Sequence, residues 1–250
     1  MRDEASTPDP AERRRQLADP EKIEAALRGG EPVRVVLHRH GVLEPRVERV
    51  VLLARELGVE TVAVSERELR RSAVDPERAA VLACLGADPG RRGAALFAGL
   101  DGAVWLLVGT AYPGNAGFVI RTAEVSGADA VVIDADFDRT ARRDTGRAAM
   151  RADRYLPVEF ESAETTIGHA RAAGHRVIAI EDTGAVAPWR ADLTGPVLFV
   201  LGGEEHGVSS ALLSAADAVV RIPMRGFMPS YNLQAAMAAV MAERLRQEGP

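Results

Sequence analysis

Val197-Leu198-Phe199-Val200-Leu201-Gly202-Gly203-Glu204-Glu205-His206-Gly207 decides the architecture. Its five leading apolar residues make a strand buried on both faces, because a half-exposed strand would alternate apolar and polar side chains. The run stops at once in glycines and a polar turn. A second loop, Ile222-Pro223-Met224-Arg225-Gly226-Phe227-Met228-Pro229-Ser230, leads into a helix expected from Tyr231 onward. A doubly buried strand with a glycine exit and a Pro–Met loop beside it suits the carboxyl edge of a parallel sheet. Ligands of open α/β folds bind at that edge.

The preceding segments repeat the same grammar. Residues 103–108, 130–133 and 177–180 are buried-strand candidates, with short strands at 156–158 and 218–220. Between them, 115–125 is helical with Val119, Ile120 and Ala123 inward, the stretch after Asp138 is loop plus helix, and 163–173 is a helix. The last helix, 231–246, puts Leu233, Met237, Val240, Met241 and Leu245 on one stripe and flanks it with alanines. Strands alternating with helices mean an α/β domain with a mostly parallel sheet.

The N-terminal third is a second, smaller α/β unit. Residues 1–20 are rich in proline and charge and read as a mobile tail or a loosely docked helix. Helices are expected at 21–27 and 45–57, strands at 33–37 and 61–64, with Ser65 capping the next helix. Asp75-Pro76-Glu77 resembles the start of another helix running toward Gly86. The segment Asp88-Pro89-Gly90-Arg91-Arg92-Gly93 is the best linker. It divides the chain into a tail (1–20), a small domain (21–88) and a larger one (101–250).

Composition narrows the function classes. The net charge of −5 argues against a nonspecific nucleic-acid binder, although residues 138–154 carry a local excess of arginine. Lys22 is the only lysine and follows no glycine-rich turn, so a Walker-type phosphate loop is excluded. No G-x-G-x-x-G follows a strand, which speaks against a nicotinamide oxidoreductase. Cys84 stands alone among apolar neighbours, which fits a buried residue in a cytosolic protein. The polar start is no secretory signal, and the apolar runs are too short for a membrane span. Glu204, Glu205 and His206 are consecutive and converge poorly on one ion, so no metal is expected. His38 and His40 lack a third ligand nearby in sequence and are expected on the surface or facing RNA.

Three segments concentrate the chemistry. In Pro113–Glu124, Asn115 and Gly117 open a helix and could be mere cap and turn. Arg121, however, sits between apolar positions, where a guanidinium needs an anionic or acceptor partner. Gly202–Gly207 supplies backbone groups at a strand exit, and the Pro–Met loop could clasp a flat heterocycle. Ser230 would serve as an ordinary N-cap.

In this order, Asn115-x-Gly117-x-x-x-Arg121-x-Ala123, Gly202-x-Glu204-x-x-Gly207 and Ile222-Pro223-Met224-x-Gly226-x-x-x-Ser230-x-Asn232 resemble the signature of the SpoU/TrmH branch of the SPOUT RNA methyltransferases. The resemblance covers residues 103–247. Residues 21–86 more distantly resemble the ribosomal-protein-like RNA-binding domain that often precedes it. It implies a trefoil-knotted domain, a homodimer, and transfer of methyl from S-adenosylmethionine to a ribose 2′-OH. By position, Leu201, Gly202, Gly203, Ile222, Met224 and Tyr231 would hold the cofactor, while Asn115, Arg121, Glu204, Ser230 and Asn232 would form the reactive end. Ribosomal RNA is the first substrate expected, given the N-terminal domain, and transfer RNA the second. A catalytically silent RNA-binding module is the alternative from another class. The chain departs from the family pattern at Tyr231, where Leu is usual, at Gln234, and at Ala149 and Arg151, where Ser and Gly are common.

Overall fold

The computed structural model describes residues 16–77, 79–86 and 90–249. The chain forms two compact units, the first ending at Pro89 and the second beginning at Gly90.

The first unit is a four-stranded mixed sheet with strands β1 (Gln16–Leu17), β2 (Val33–Arg39), β3 (Glu60–Val64) and β4 (Val81–Leu85), in spatial order β1-β4-β2-β3. Helices α1 (Pro20–Arg28) and α2 (Pro45–Glu56) pack Ile23, Leu27, Val47, Val50 and Ala54 onto Val36, Val81 and Ala83. The third helix, α3 (Glu66–Ser72), is capped by Ser65, whose hydroxyl accepts the Glu68 N–H. Three expectations change here. Residues 1–15 of the supposed tail lie outside the described residues, while Gln16 and Leu17 pair antiparallel with β4. Asp75 accepts the Glu77 N–H and makes only a turn. The apolar run after it, Val81-Leu82-Ala83, is buried in the sheet as a strand, held between β1 and β2. His38 is buried in β2 with Nδ1 2.9 Å from the Arg39 carbonyl oxygen, whereas His40 is exposed. Cys84 is half-buried.

The second unit is a six-stranded sheet whose pairings are all parallel: β5 (Ala103–Val108), β6 (Ala130–Asp134), β7 (Val158–Phe160), β8 (Arg176–Ile180), β9 (Val197–Gly202) and β10 (Ala218–Val220), ordered β10-β8-β9-β5-β6-β7. Both faces are covered, which is why its central strands read as unbroken apolar runs. On one face, Trp105, Leu107, Phe199 and Leu201 meet α5 (Pro113–Val125), α6 (Arg139–Ala148) and α9 (Leu233–Glu248). Trp105 stacks on Phe199 at 4.8 Å and donates its indole N–H toward Met241 Sδ at 3.3 Å. On the other face, Val104, Leu106, Leu198 and Val200 meet α4 (Ala94–Phe97), α7 (Ala163–Ala172) and α8 (Ser210–Ala215). Among the described residues, no helix is long and apolar enough to cross a membrane.

Helix α9 differs in two ways from its expected form. Its N-cap is Asn232, whose side chain accepts the Gln234 N–H, so Ser230 stays in the loop. Its inner stripe ends on Arg244, 4% exposed, and not on Leu245. The guanidinium enters because the loop before β9 turns two carbonyls inward: Arg244 donates to Leu193 O at 2.5 Å and Gly195 O at 2.9 Å. Glu248 completes the ion pair at 2.5 Å.

Candidate active site

Strand β9 leaves the sheet through a turn that only glycine can build. The Gly203 N–H donates to Val108 O at 2.6 Å, and the Gly207 N–H returns to Gly203 O at 3.2 Å. A methyl group on Gly202 would sit 2.1 Å from the Gly207 carbonyl carbon, and one on Gly203 would sit 2.1 Å from the Gly109 carbonyl oxygen. Glu181, just beyond β8, accepts the Val208 N–H at 2.8 Å and fixes the far side of the turn.

A cavity of about 450 Å³ opens where β8, β9 and β10 end. Leu201, Gly202, Gly203, Glu204 and Gly207 form one wall. Ile222, Met224, Met228, Pro229, Ser230, Tyr231 and Asn232 form the opposite one, with Glu181 and Asp182 at the side and Leu233 and Ala236 of α9 beneath. The size falls within the range of small-molecule sites, and the lining is largely apolar, with three glycines in one wall and carboxylates among its residues. A flat heterocycle fits the apolar walls, and a cationic group suits the carboxylates. A larger recess lined by Glu66, Arg67, Arg70, Arg71, Ala73 and Pro76 is open surface.

At the cavity rim, Glu204 ties three segments together. Its carboxylate accepts Asn115 Nδ2 at 2.6 Å, the Ala111 N–H at 3.1 Å and the Thr110 hydroxyl at 3.4 Å. Asn232 Nδ2 reaches Asn115 Oδ1 at 3.4 Å while its own oxygen caps α9. Asn115 therefore lies in the first turn of α5, after the Tyr112 N-cap, and its side chain is committed to this cluster. Gly117, two residues on, lets α5 touch α6: an added methyl would lie 2.5 Å from Thr145 O.

The structure thus brings together Asn115, Glu204 and Asn232, and gathers Leu201, Gly202, Gly203, Ile222, Met224, Ser230 and Tyr231 around one cavity. Arg121 is the exception. It is exposed on α5 and does not line the cavity. Six residues at 3.6 per turn put it about 120° around the helix from Asn115. Thr110, Ala111, Glu181 and Asp182 were not expected in the site, although each lies within three residues of the carboxyl end of β5 or β8. Among the described residues, no group of three or more His, Cys, Asp or Glu side chains could hold a metal ion.

The family model of the SpoU rRNA methylases matches residues 103–242, which contain all of these elements. The chain belongs to the SpoU rRNA methylase family. A full-length relative within reach is the 23S rRNA (guanosine-2′-O-)-methyltransferase RlmB of Pseudomonas syringae pv. tomato. It is 31% identical over 233 residues, covering 90% of this chain and 92% of the relative. An AdoMet-bound rRNA methyltransferase from Sinorhizobium meliloti is 25% identical with a TM-score of 0.59, covering 94% of this chain and 88% of that one. An RNA 2′-O ribose methyltransferase is 26% identical with a TM-score of 0.56, covering 95% and 91%. Residues of the stretches 202–207 and 222–232 line the cavity, and Asn115 joins its rim through Glu204, all within the matched range.

Proposed function

We propose that this SpoU-family chain is an S-adenosylmethionine-dependent methyltransferase acting on a ribose 2′-OH of ribosomal RNA. The observation that carries this is the glycine- and apolar-walled cavity at the ends of β8, β9 and β10, opening onto the Asn115–Glu204–Asn232 cluster. Leu201, Gly202, Gly203, Ile222, Met224 and Tyr231 hold the cofactor, whose bound form supplies an electrophilic methyl group. Ribosomal RNA is preferred because the relative matched over nearly the whole chain is named for 23S rRNA.

The chain's own groups supply position and a proton acceptor. The hydroxyl oxygen gains the methyl carbon, the carbon–sulfur bond breaks with its electron pair going to sulfur, and the hydroxyl proton must leave. Of Asn115, Glu204, Ser230 and Asn232, only the Glu204 carboxylate is basic enough to take that proton. Asn115 and Asn232 orient the carboxylate, and Ser230 orients the ribose. Arg121 cannot act as a base, because a guanidinium stays protonated above about pH 12. Its exposed place on α5 suits a phosphate flanking the target, outside the cavity. Holding the hydroxyl against the methyl group then supplies much of the rate.

The same reading includes a homodimer, a trefoil knot and an RNA-binding first unit. Ala235, Ala238, Ala239 and Ala242 form an exposed small-residue seam on α9, continued by Leu245, and Phe118 and Val125 are exposed on α5, which packs against α9. A second copy would cover both. The chain leaves edge strand β10, recrosses the ends of β8 and β9, and returns to the sheet centre at Trp105, a path that favours threading. Ribosomal RNA as substrate makes the cytoplasm the place of action.

Calorimetric titration with S-adenosylmethionine and S-adenosylhomocysteine, with NAD as control, tests the cavity. Transfer of tritiated methyl to unmodified 23S rRNA and tRNA transcripts then tests the reaction and separates the two substrates. Glu204→Gln should lower turnover about 10²- to 10⁴-fold with cofactor affinity unchanged. Arg121→Ala should raise KM for RNA and leave cofactor affinity alone. Absence of binding by both sulfur compounds, or a fully active Glu204→Gln enzyme, would overturn the assignment.

A further inference from the structure

Phe227 is the conspicuous misfit of the second unit. Phe97, Phe137 and Phe199 are buried in its core, but Phe227 is 110% exposed, with no part of its ring covered. It lies in the irregular stretch between β10 and α9, flanked by Arg225 and Gly226 on one side and Met228 on the other. A methyl group added to Gly226 would meet no atom within 4 Å, so this part of the loop stands clear of the body. Yet the residues on either side of it, Met224 and then Met228 to Asn232, line the cavity. A fully hydrated phenyl ring is therefore held at the mouth of the site.

The reaction explains such a ring. A ribose can enter the cleft only if its nucleotide leaves the helical stack, and the base then loses its stacking partners. Unstacked RNA bases are held on aromatic side chains, which offer a flat apolar face to any base. Exposed Arg225, two residues away, is placed to meet the backbone phosphate of the same nucleotide. We propose that Phe227 is the platform on which the unpaired base of the target nucleotide stacks while its ribose occupies the cleft. The inference rests on the methyltransferase reading above. Phe227 precedes α9 in the chain and is not one of the residues of the small-residue seam, which begins at Ala235.

The test compares wild type with Phe227→Ala, Phe227→Leu and Phe227→Trp. Methyl incorporation is measured at saturating S-adenosylmethionine over a range of concentrations of whichever transcript, 23S rRNA or tRNA, accepts label. Loss of one base–aromatic stack should raise KM for RNA about 5- to 150-fold in Phe227→Ala, with kcat and cofactor affinity unchanged. Leucine keeps apolar bulk but no π-face and should resemble alanine. Tryptophan should restore KM, and its fluorescence should be quenched by the RNA. Wild-type KM in Phe227→Leu, a changed sedimentation mass in Phe227→Ala, or a weakened cofactor affinity would each overturn the proposal, pointing to a simple apolar contact, a subunit contact or a cofactor flap. If wild type labels RNA and Phe227→Ala does so equally well, this inference alone fails. If wild type labels no RNA, the functional reading fails and takes the inference with it.

Discussion

Gly203→Ala adds a single methyl group where β9 leaves the sheet, and its cost can be worked from the surroundings. The new carbon would lie 2.1 Å from Gly109 O, 2.4 Å from Gly109 C and 2.8 Å from Thr110 N, all of them backbone atoms. Reaching the 3.4 Å of ordinary contact from 2.1 Å requires a shift of about 1.3 Å. Neither side is free to move. Gly203 is tied to Val108 O at 2.6 Å, and Gly109 to Asp134 O at 2.9 Å. Overpacking costs about 1–3 kcal/mol and a lost backbone hydrogen bond about 1 kcal/mol, giving a destabilisation of about 2–4 kcal/mol. The functional loss should be larger in proportion. Glu204 is the next residue, and a misplacement of about 1 Å can cost 10²-fold in rate. Urea unfolding reads the first effect, and methyl transfer to RNA at saturating cofactor reads the second. Gly168→Ala is the matched control. It lies within α7 with nothing within 4 Å of the added carbon. It should stabilise by about 0.5–1 kcal/mol. A Gly203→Ala protein with wild-type unfolding midpoint and methyl-transfer rate would refute the claim that this turn tolerates no side chain.

Arg244→Met should destabilise by about 2–4 kcal/mol, because the Leu193 and Gly195 carbonyls and Glu248 lose their buried donor; a fall in urea midpoint without a change in slope checks this. Arg151 occupies left-handed backbone at φ 64°, so Arg151→Gly should stabilise by about 0.5–1 kcal/mol net of glycine's extra unfolded-state entropy, read as a raised Tm. Burial pulls the His175 imidazole below its ordinary pKa. The unfolded chain therefore binds the extra proton first, and the stability present at neutral pH declines as pH falls below about 6.5. Unfolding midpoints of wild type and His175→Phe, compared from pH 7.5 to 5, should show that part of the decline missing in the variant, which keeps an aromatic edge for Phe97.

What could be read from the sequence followed from the range of the interaction involved. Doubly buried strands such as 197–201 announce themselves because both faces demand apolar residues, and the glycine exit marks where the sheet ends. The Ser65 cap is equally local, and its hydroxyl accepts an N–H of its own helix. The misses are long-range. Val81–Leu85 has no intrinsic mark that separates a buried strand from a helix turn; its partners Gln16–Leu17 and Val33–Arg39 settle it. Arg244 displaces Leu245 from the core only because two carbonyls from the loop before β9 wait there. Asn115 joins Glu204 across 89 residues, which no spacing rule encodes. Arg121 looked inward because Ile120 and Ala123 beside it are inward, yet a 100° step per residue carries it out to solvent.

The cavity wall at Leu201–Gly203 is made of main chain, and that has a consequence for how this protein can vary. Peptide groups present the same donors and acceptors whatever side chain they carry, so most wall positions can drift without altering what the ligand meets. The constraint collapses onto the few sites where a β-carbon has nowhere to go: Gly117, Gly202 and Gly203. A saturation mutagenesis map should be close to binary there, with nearly every codon rejected at those three positions and wide acceptance at neighbours such as Tyr231.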